Sequence, residues 1–275
     1  GSLPFWEAAF GVVTTIKLLD LTNPNNAVIR RLTIEAPGTY HHSLIVSNLA
    51  EAAAIDIGAN PIIARVGGYY HDIGKLKYPH YFSENQVGEN PHDFMDPYNS
   101  ADIIRSHVTY GLELADSYKL PKVIKDMISM HHGNTLNKYF YHKAKKSESE
   151  MEVDENEFRY HYTIPQYKEA AIVMLADTIE AAVRSMIPSG KSIEEVEKFI
   201  RGLVKDKLDD NQLQDSMLTI KDLDIIIKSF LRVFKGMYHE RIIYPKEISE
   251  NEVLDEESVL LTTDKTDGEP EVSES

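Results

Sequence analysis

The sequence predicts an all-α fold, a bundle of amphipathic helices, and three observations carry that prediction. Apolar residues return at three- and four-residue intervals in segment after segment, the period of an α-helix. Proline and glycine fall between those segments and punctuate their ends. No stretch alternates apolar and polar residues in the manner of a half-buried strand.

The first segment covers residues 4–19, where Phe5, Ala8, Ala9, Val12, Val13, Ile16 and Leu19 share helical spacing and Pro4 suits a first turn. Gly1-Ser2 ahead of it reads as a cloning scar. Asn23-Pro24-Asn25-Asn26 breaks the chain, and residues 27–35 read as a short helix ended by Ala36-Pro37-Gly38. Residues 3–35 are therefore expected to be connector helices packing on the main domain, with a link from an upstream membrane segment as the sharper alternative. Thr39 is placed to cap the next helix, whose stripe is Leu44, Ile45, Leu49, Ala52 and Ala53 and whose first turn holds His41 and His42. Pro61 opens a helix through Ile62, Ile63, Val66, Tyr69 and Tyr70. It delivers His71 and Asp72 at its C-terminal end, with Gly74 as the stop and as the turn that lets Lys75 reach back. Residues 77–97, with Pro79, Pro91 and Pro97, read as a long loop of the kind that covers functional sites. His80 and His92 within it read as surface residues or as residues behind the ligands.

Ser100 is placed to cap a helix over 101–118, with Ile103, Ile104, Val108, Leu112 and Ala115 on its apolar face and His107 close to that face. Pro121 begins another, buried through Val123, Ile124, Met127 and Ile128, which ends in His131-His132-Gly133. The aromatic and basic stretch 139–143 leads into the charged run 145–157, read as a solvated helix end and mobile loop. After Pro165 comes a helix over 167–186, apolar at Ala170, Ala171, Val173, Met174, Ile179 and Val183, with Asp177 in its middle. Residues 193–208 and 223–238 are amphipathic and form an outer layer. Beyond Pro245, the acidic, Ser- and Thr-rich residues 246–275 hold too little apolar surface to order, so a disordered tail is expected.

With 275 residues, 42% of them hydrophobic, the chain can bury one large core, and one domain with a tail is the simplest division. It has no cysteine, so thiolate metal sites, disulfides and cysteine nucleophiles are excluded, and any metal must be held by His, Asp and Glu. The formal charge is −15; residues 246–275 carry −9 of it, eleven Asp and Glu against Lys246 and Lys265, which leaves −6 on the rest. Duplex nucleic acid calls for a basic face and is not an expected partner, whereas a small phosphate ester reached through metal ions fits. No run approaches the ~20 apolar residues of a membrane span. The abrupt helical start suggests a domain cut from a longer protein.

His71-Asp72 sets a nitrogen and an oxygen ligand side by side. Such a pair alone is commonplace in hydrogen-bonded clusters. Its weight comes from the others near core-facing positions: one of His41 and His42, then His107, the His131-His132 pair, and Asp177. An Asp in an alanine-rich helix is costly to bury unless it meets a cation. Seven such groups fill two octahedral nitrogen and oxygen sites with water left over, and Asp72 can bridge the pair. Arg184 lies two turns beyond Asp177 on the same helical face.

The order H…HD…H…HH…D is similar to that of the HD-domain metal-dependent phosphohydrolases. The wider wording resembles one branch, the seven-transmembrane HD-domain cyclic-di-AMP phosphodiesterases. It consists of Ala36-Pro37-Gly38-Thr39-Tyr40-His41-His42-Ser43, His71-Asp72-Ile73-Gly74-Lys75, Glu84-Asn85-Gln86, Asn90-Pro91-His92-Asp93 and Met174-Leu175-Ala176-Asp177. The resemblance implies an HD-domain helical bundle over residues 36–245. It implies one metal held by His42, His71, Asp72 and Asp177, and a second by Asp72, His107, His131 and His132; a role for His41 is left open. It further implies transmembrane segments upstream, a place at the cytoplasmic face of the cell membrane, and a homodimer as a compatible assembly. Relatives that cut cyclic-di-GMP follow their second His pair with a Gly-Tyr-Pro loop, whereas this chain continues Gly133-Asn134-Thr135-Leu136. The expected substrate is therefore cyclic-di-AMP, opened to linear pApA by metal-assisted attack of water on phosphorus. Two divalent ions, Mn or Fe, suit the imidazole-rich sites. Asp72 and Lys75 are the expected catalytic residues, and Lys75 and Arg184 the expected substrate contacts. The alternatives are another cyclic dinucleotide, a nucleotide phosphomonoester, or di-iron oxygenase chemistry on the same fold.

Overall fold

A computed structural model describes residues 13–147, 153–186 and 191–237. Gly1-Ser2, the start of the 4–19 segment, part of the 145–157 run and residues 246–275 lie outside them. The helices are α1 (Thr15–Leu21), α2 (Ala27–Glu35), α3 (Pro37–Ile57), α4 (Pro61–Tyr70), α5 (Pro97–Ser117), α6 (Lys122–Met130), α7 (Lys138–Ser147), α8 (Lys168–Met186), α9 (Ile193–Asp209) and α10 (Ile220–Met237). The described residues contain no strand, only an isolated antiparallel bridge between Leu136 and Arg159. The all-α expectation holds. None of the described helices is long and apolar enough to cross a membrane.

Two apolar clusters make the core, and α4 runs between them. On one side Ala64 of α4 joins Leu49 and Ala53 of α3, Val173 and Ile179 of α8 and Phe230 of α10. On the other, Val66 and Tyr70 join Leu32 of α2 and Ile124 and Ile128 of α6. Each fully buried Leu, Ile or Phe contributes about 1.5–3 kcal/mol, so burial on both faces fixes α4 in place. Tyr70 is fully buried and donates its hydroxyl proton to the Leu21 carbonyl at 2.9 Å, which ties α1 to the end of α4. A smaller cluster of Ala101, Phe140, Ala144, Val153 and Phe158 joins α5 to α7.

Several boundaries differ from the sequence reading, each for a physical reason. Thr39 does not cap α3, which starts two residues earlier at Pro37 behind Ala36, a residue with no capping side chain. The Thr39 amide in that first turn is met from a distant segment: Asn85 Oδ1 accepts from it at 3.1 Å, and the Thr39 hydroxyl donates to Glu84 Oε1 at 3.2 Å. The close approach depends on Gly38, where a Cβ would lie 1.9 Å from the Glu84 carbonyl oxygen. Ser100 does not cap α5 either; Asp96 does, accepting from the Tyr98 and Asn99 amides, and Pro97 takes the first helical position. Residues 77–97 are not an open loop but largely a chain of 3-10 turns, Ile73–Lys77, Pro79–Tyr81, Ser83–Asn85 and Pro91–Phe94, with Pro79 and Pro91 opening two of them.

Gly74 is not the stop of α4. The helix ends at Tyr70 with His71 still right-handed, and Gly74 sits inside the following 3-10 turn. What requires glycine there is proximity: a Cβ at position 74 would lie 1.8 Å from the His107 carbonyl oxygen and 2.4 Å from the Gly111 amide. Gly74→Ala must therefore push the Asp72 turn off α5. The expected loss in urea unfolding is about 3 kcal/mol, the upper part of the range for overpacking, because backbone rather than a flexible side chain must give. A loss below about 0.5 kcal/mol, the ordinary surface value, would contradict this account.

Candidate metal centre

Five separate segments each deliver one or two polar side chains to the point where the clusters meet. The second turn of α3 supplies His42, the end of α4 His71 and then Asp72, the middle of α5 His107, the end of α6 His131 and His132, and the middle of α8 Asp177. All but His132 are buried, and His132 keeps 22% of its side chain exposed. Their ligand atoms fall into two groups of four, each within 4.8 Å of one another: His42, His71, Asp72 and Asp177, and Asp72, His107, His131 and His132. The two groups bring together the seven residues named from the sequence.

Asp72 belongs to both groups, one oxygen to each. Its Oδ2 lies 3.3 Å from His71 Nε2 and 3.6 Å from His42 Nε2. Its Oδ1 lies 3.3 Å from His107 Nε2 and 3.7 Å from His131 Nε2. Asp177 closes both sides, with Oδ1 at 3.1 Å from His42 Nε2 and Oδ2 at 3.8 Å from His132 Nδ1. His41, the ambiguous neighbour of His42, is exposed and lines a shallow pocket with Gly38, Ser83, Glu84 and Arg184.

The donor set fits a pair of cations. Oδ1 of Asp72 and Nε2 of His71 are buried without a hydrogen-bond partner, in a protein interior where such atoms are normally satisfied. His107 Nε2 and His131 Nε2 face each other at 3.1 Å, which only a proton or a cation makes tolerable. The tautomers suit it: His71, His107 and His131 each direct Nδ1 to the carbonyl three residues back, at Gly68, Ile104 and Ile128, leaving Nε2 for the centre.

The protein's own charges divide the site. Burial alone would lower the His71 imidazole, yet the Asp72 charge and the Asp177 contact raise it to about 10. His42 is raised in the same way by Asp177 and Glu180 against burial. His131 falls to about 3 through burial and the charges of His71 and His107, and His107 and His132 fall too, chiefly through burial. Asp72 and Asp177 stay well below the carboxylate range despite burial; Lys75 and His71 hold the first down, His42 and His71 the second.

Lys75 does reach back, as expected, but it is held at both ends. Its Nζ lies 2.6 Å from Asp72 Oδ2 and donates to Glu84 Oε1 at 2.7 Å. Arg184 stands at the rim, one third of its side chain exposed, with Nε 3.9 Å from Glu180 Oε1. Above the centre runs a groove of about 990 Å³ lined by His42, Lys75, His107, His132, Asp177 and Arg184 on its floor and walls, and by Tyr139, Phe140 and Tyr160 from the segment after the His pair. Tyr160 stacks on His132, ring centroids 4.3 Å apart and planes 27° from parallel. His80 is exposed as expected, whereas His92 is buried in the groove wall, 2.9 Å from the Tyr81 carbonyl.

Sequence reasoning missed Glu180, which pairs with His42 Nδ1, and passed over Tyr160. The signal for Glu180 was available: it is a second acid one turn beyond Asp177 on the same apolar helix, and the cost of burying an unpaired carboxylate applies to it equally.

The profile of the HD domain family matches residues 39–182. The chain belongs to the HD-domain family. This HD domain is 49% identical over 247 residues to the cyclic-di-AMP phosphodiesterase PgpH of Bacillus subtilis, a match covering 90% of the chain and 34% of that relative. It is also similar to the solved HD domain of Listeria monocytogenes PgpH, with a TM-score of 0.73 at 44% identity over 78% of this chain and 100% of that one. A second structure of the Listeria domain, in complex with cyclic-di-AMP, gives a TM-score of 0.74 at 44% identity over 79% of this chain and 100% of that one. The chain spans 34% of the length of the curated PgpH relatives it matches.

Proposed function

We propose that this HD domain hydrolyses cyclic-di-AMP to linear pApA, with two divalent metal ions, Mn or Fe, held by the two ligand groups. The observation that carries the proposal is the position of Asp72, one oxygen in each group, on the floor of a groove large enough for a dinucleotide. The Listeria PgpH HD domain, solved with cyclic-di-AMP, supports the substrate. When bound, such ions supply a water acidic enough to attack at neutral pH and draw charge from the phosphoryl oxygens.

The residues of the chain account for the rest. Asp72 would be shared by the two ions, and the five imidazoles and Asp177 would supply the other protein ligands. Lys75, pinned at the edge of the centre, places a positive charge beside the phosphoryl group as negative charge builds on it, and Arg184 adds a second from the rim. Attack on phosphorus breaks the bond to the 3′-oxygen, which leaves as a hydroxyl and opens the ring with one 5′-phosphate formed. Tyr139, Phe140 and Tyr160 give the groove aromatic surface for a base. Because the acidic neighbours of His71 raise its imidazole to about 10, a cation must displace a proton there, and uptake at that side tightens as pH rises.

A chain of this kind is proposed to work as the soluble part of a longer protein attached to the cytoplasmic face of a membrane, since it spans only part of its PgpH relatives. The deciding test incubates the manganese-loaded protein with cyclic-di-AMP, cyclic-di-GMP and a simple phosphodiester and separates the products by chromatography. Conversion of cyclic-di-AMP to pApA, with cyclic-di-GMP turned over at least about 10-fold more slowly, about 1.4 kcal/mol in the barrier, is expected. Oxygen consumption without phosphodiester cleavage would replace this reading with the oxygenase one.

A further inference from the structure

Glu180 is 1% exposed, one turn beyond Asp177 on α8, and nothing in the chemistry above uses it. Its Oε2 is hydrogen-bonded to His42 Nδ1. Its Oε1 is buried without a hydrogen-bond partner, with Arg184 Nε 3.9 Å away. A carboxylate kept from water with half its acceptor capacity unused is costly, and an apolar side chain of the same size would serve the core better. The group is there for some other reason than packing.

The contrast among the histidines points to that reason. His71, His107 and His131 have their tautomer set locally, by the carbonyl three residues back in their own helical turn. His42 makes no such bond; its Nδ1 turns instead to an acid 138 residues away in sequence. We propose that Glu180 is a positioning residue for His42. By accepting the Nδ1–H hydrogen bond it leaves the Nε2 lone pair facing Asp72 and Asp177, fixes the ring plane, and makes that imidazole a stronger donor to a cation. Arg184 then has a second function, balancing the free oxygen of Glu180 from the rim of the groove.

The proposal rests on His42 being a ligand of the first group, and the test separates the two. Glu180→Leu, Glu180→Gln and His42→Ala are made in the full chain. Mn(II) affinity is read by competition with a chromophoric chelator, bound metal by elemental analysis, and the stability of the metal-free protein by urea unfolding. Glu180→Leu is expected to weaken one of the two sites by about 10–100-fold and leave the other as in the wild type. Glu180→Gln, whose amide oxygen still accepts from Nδ1 but carries no charge, is expected to lose less, and His42→Ala more. Unchanged affinity in Glu180→Leu overturns the proposal, as does an equal weakening of both sites accompanied by a loss of metal-free stability, the mark of a merely structural residue. If His42→Ala also binds both ions like the wild type, the ligand assignment itself fails.

Discussion

Asp72→Ala is expected to remove bound metal and turnover together, with cyclic-di-AMP hydrolysis falling by at least about 10⁴-fold, about 5.4 kcal/mol in the barrier. The magnitude follows from geometry rather than from charge alone. Oδ2 stands 3.3 Å from His71 Nε2 and Oδ1 stands 3.3 Å from His107 Nε2, so one side chain belongs to both ligand groups. Without it, each group keeps three ligands and the two cation positions lose the link that sets their distance. Asp72→Asn sharpens the test because it keeps the volume: an amide offers one oxygen, and its NH₂ faces the other site as a donor. That variant is expected to fold like the wild type by circular dichroism while binding no more than one ion per chain by elemental analysis. Two tightly bound ions in Asp72→Asn would show that the carboxylate is not shared.

Much of this centre was legible in the residues, and the parts that were not share a cause. His71, His107, His131 and Asp177 were readable because each stands near an apolar helical face, and a helix period assigns a face without knowledge of the partner. The choice between His41 and His42 was not, since adjacent positions differ by only 100° of helix rotation; packing of α3 on α8 buries the second and exposes the first. Helix existence was readable from period, whereas helix starts were not. Thr39 and Ser100 both have capping chemistry, but Asn85 and Asp96 reach the free amides first, and for α3 the competing group is 46 residues away. The role of Gly74 was misread for the same reason: glycine shows in the sequence as a possible turn, while the 1.8 Å approach to the His107 carbonyl exists only once α5 is in place.

The same limit explains Glu84 and Glu180. Both are acids whose partners, Lys75 and His42, are identified only by folding. The sequence announces that a buried acid needs a partner; it does not say which. The segment 77–97 shows how such a partner is brought in, because its successive 3-10 turns carry Glu84 and Asn85 against the start of α3 and so couple the lysine clamp to the turn that holds His42.

Lys75→Ala separates metal holding from catalysis. Lys75 Nζ lies 2.6 Å from Asp72 Oδ2 and 2.7 Å from Glu84 Oε1, with 13% of its side chain exposed, and although burial works against its charge the two carboxylates hold it protonated well above the usual lysine range. Removing it leaves Glu84, whose side chain is 7% exposed, facing Asp72 with no cation between them. The metal-free variant is therefore expected to lose about 3–5 kcal/mol in urea unfolding, the cost of breaking a buried pair from one side. Metal binding should survive, since no ligand is lost and the site has become more negative. The rate should not: a fixed positive charge beside the phosphoryl group is worth about 10²–10³ in kcat. The double variant Lys75→Ala/Glu84→Gln discriminates the causes, because neutralising Glu84 relieves the repulsion and restores most of the stability but supplies no charge to the reaction. Recovered stability with a rate still about 10²-fold down assigns Lys75 to the transition state. Recovery of both would make Lys75 only the counter-ion of Glu84, and loss of metal from the single variant would place it among the groups that build the centre.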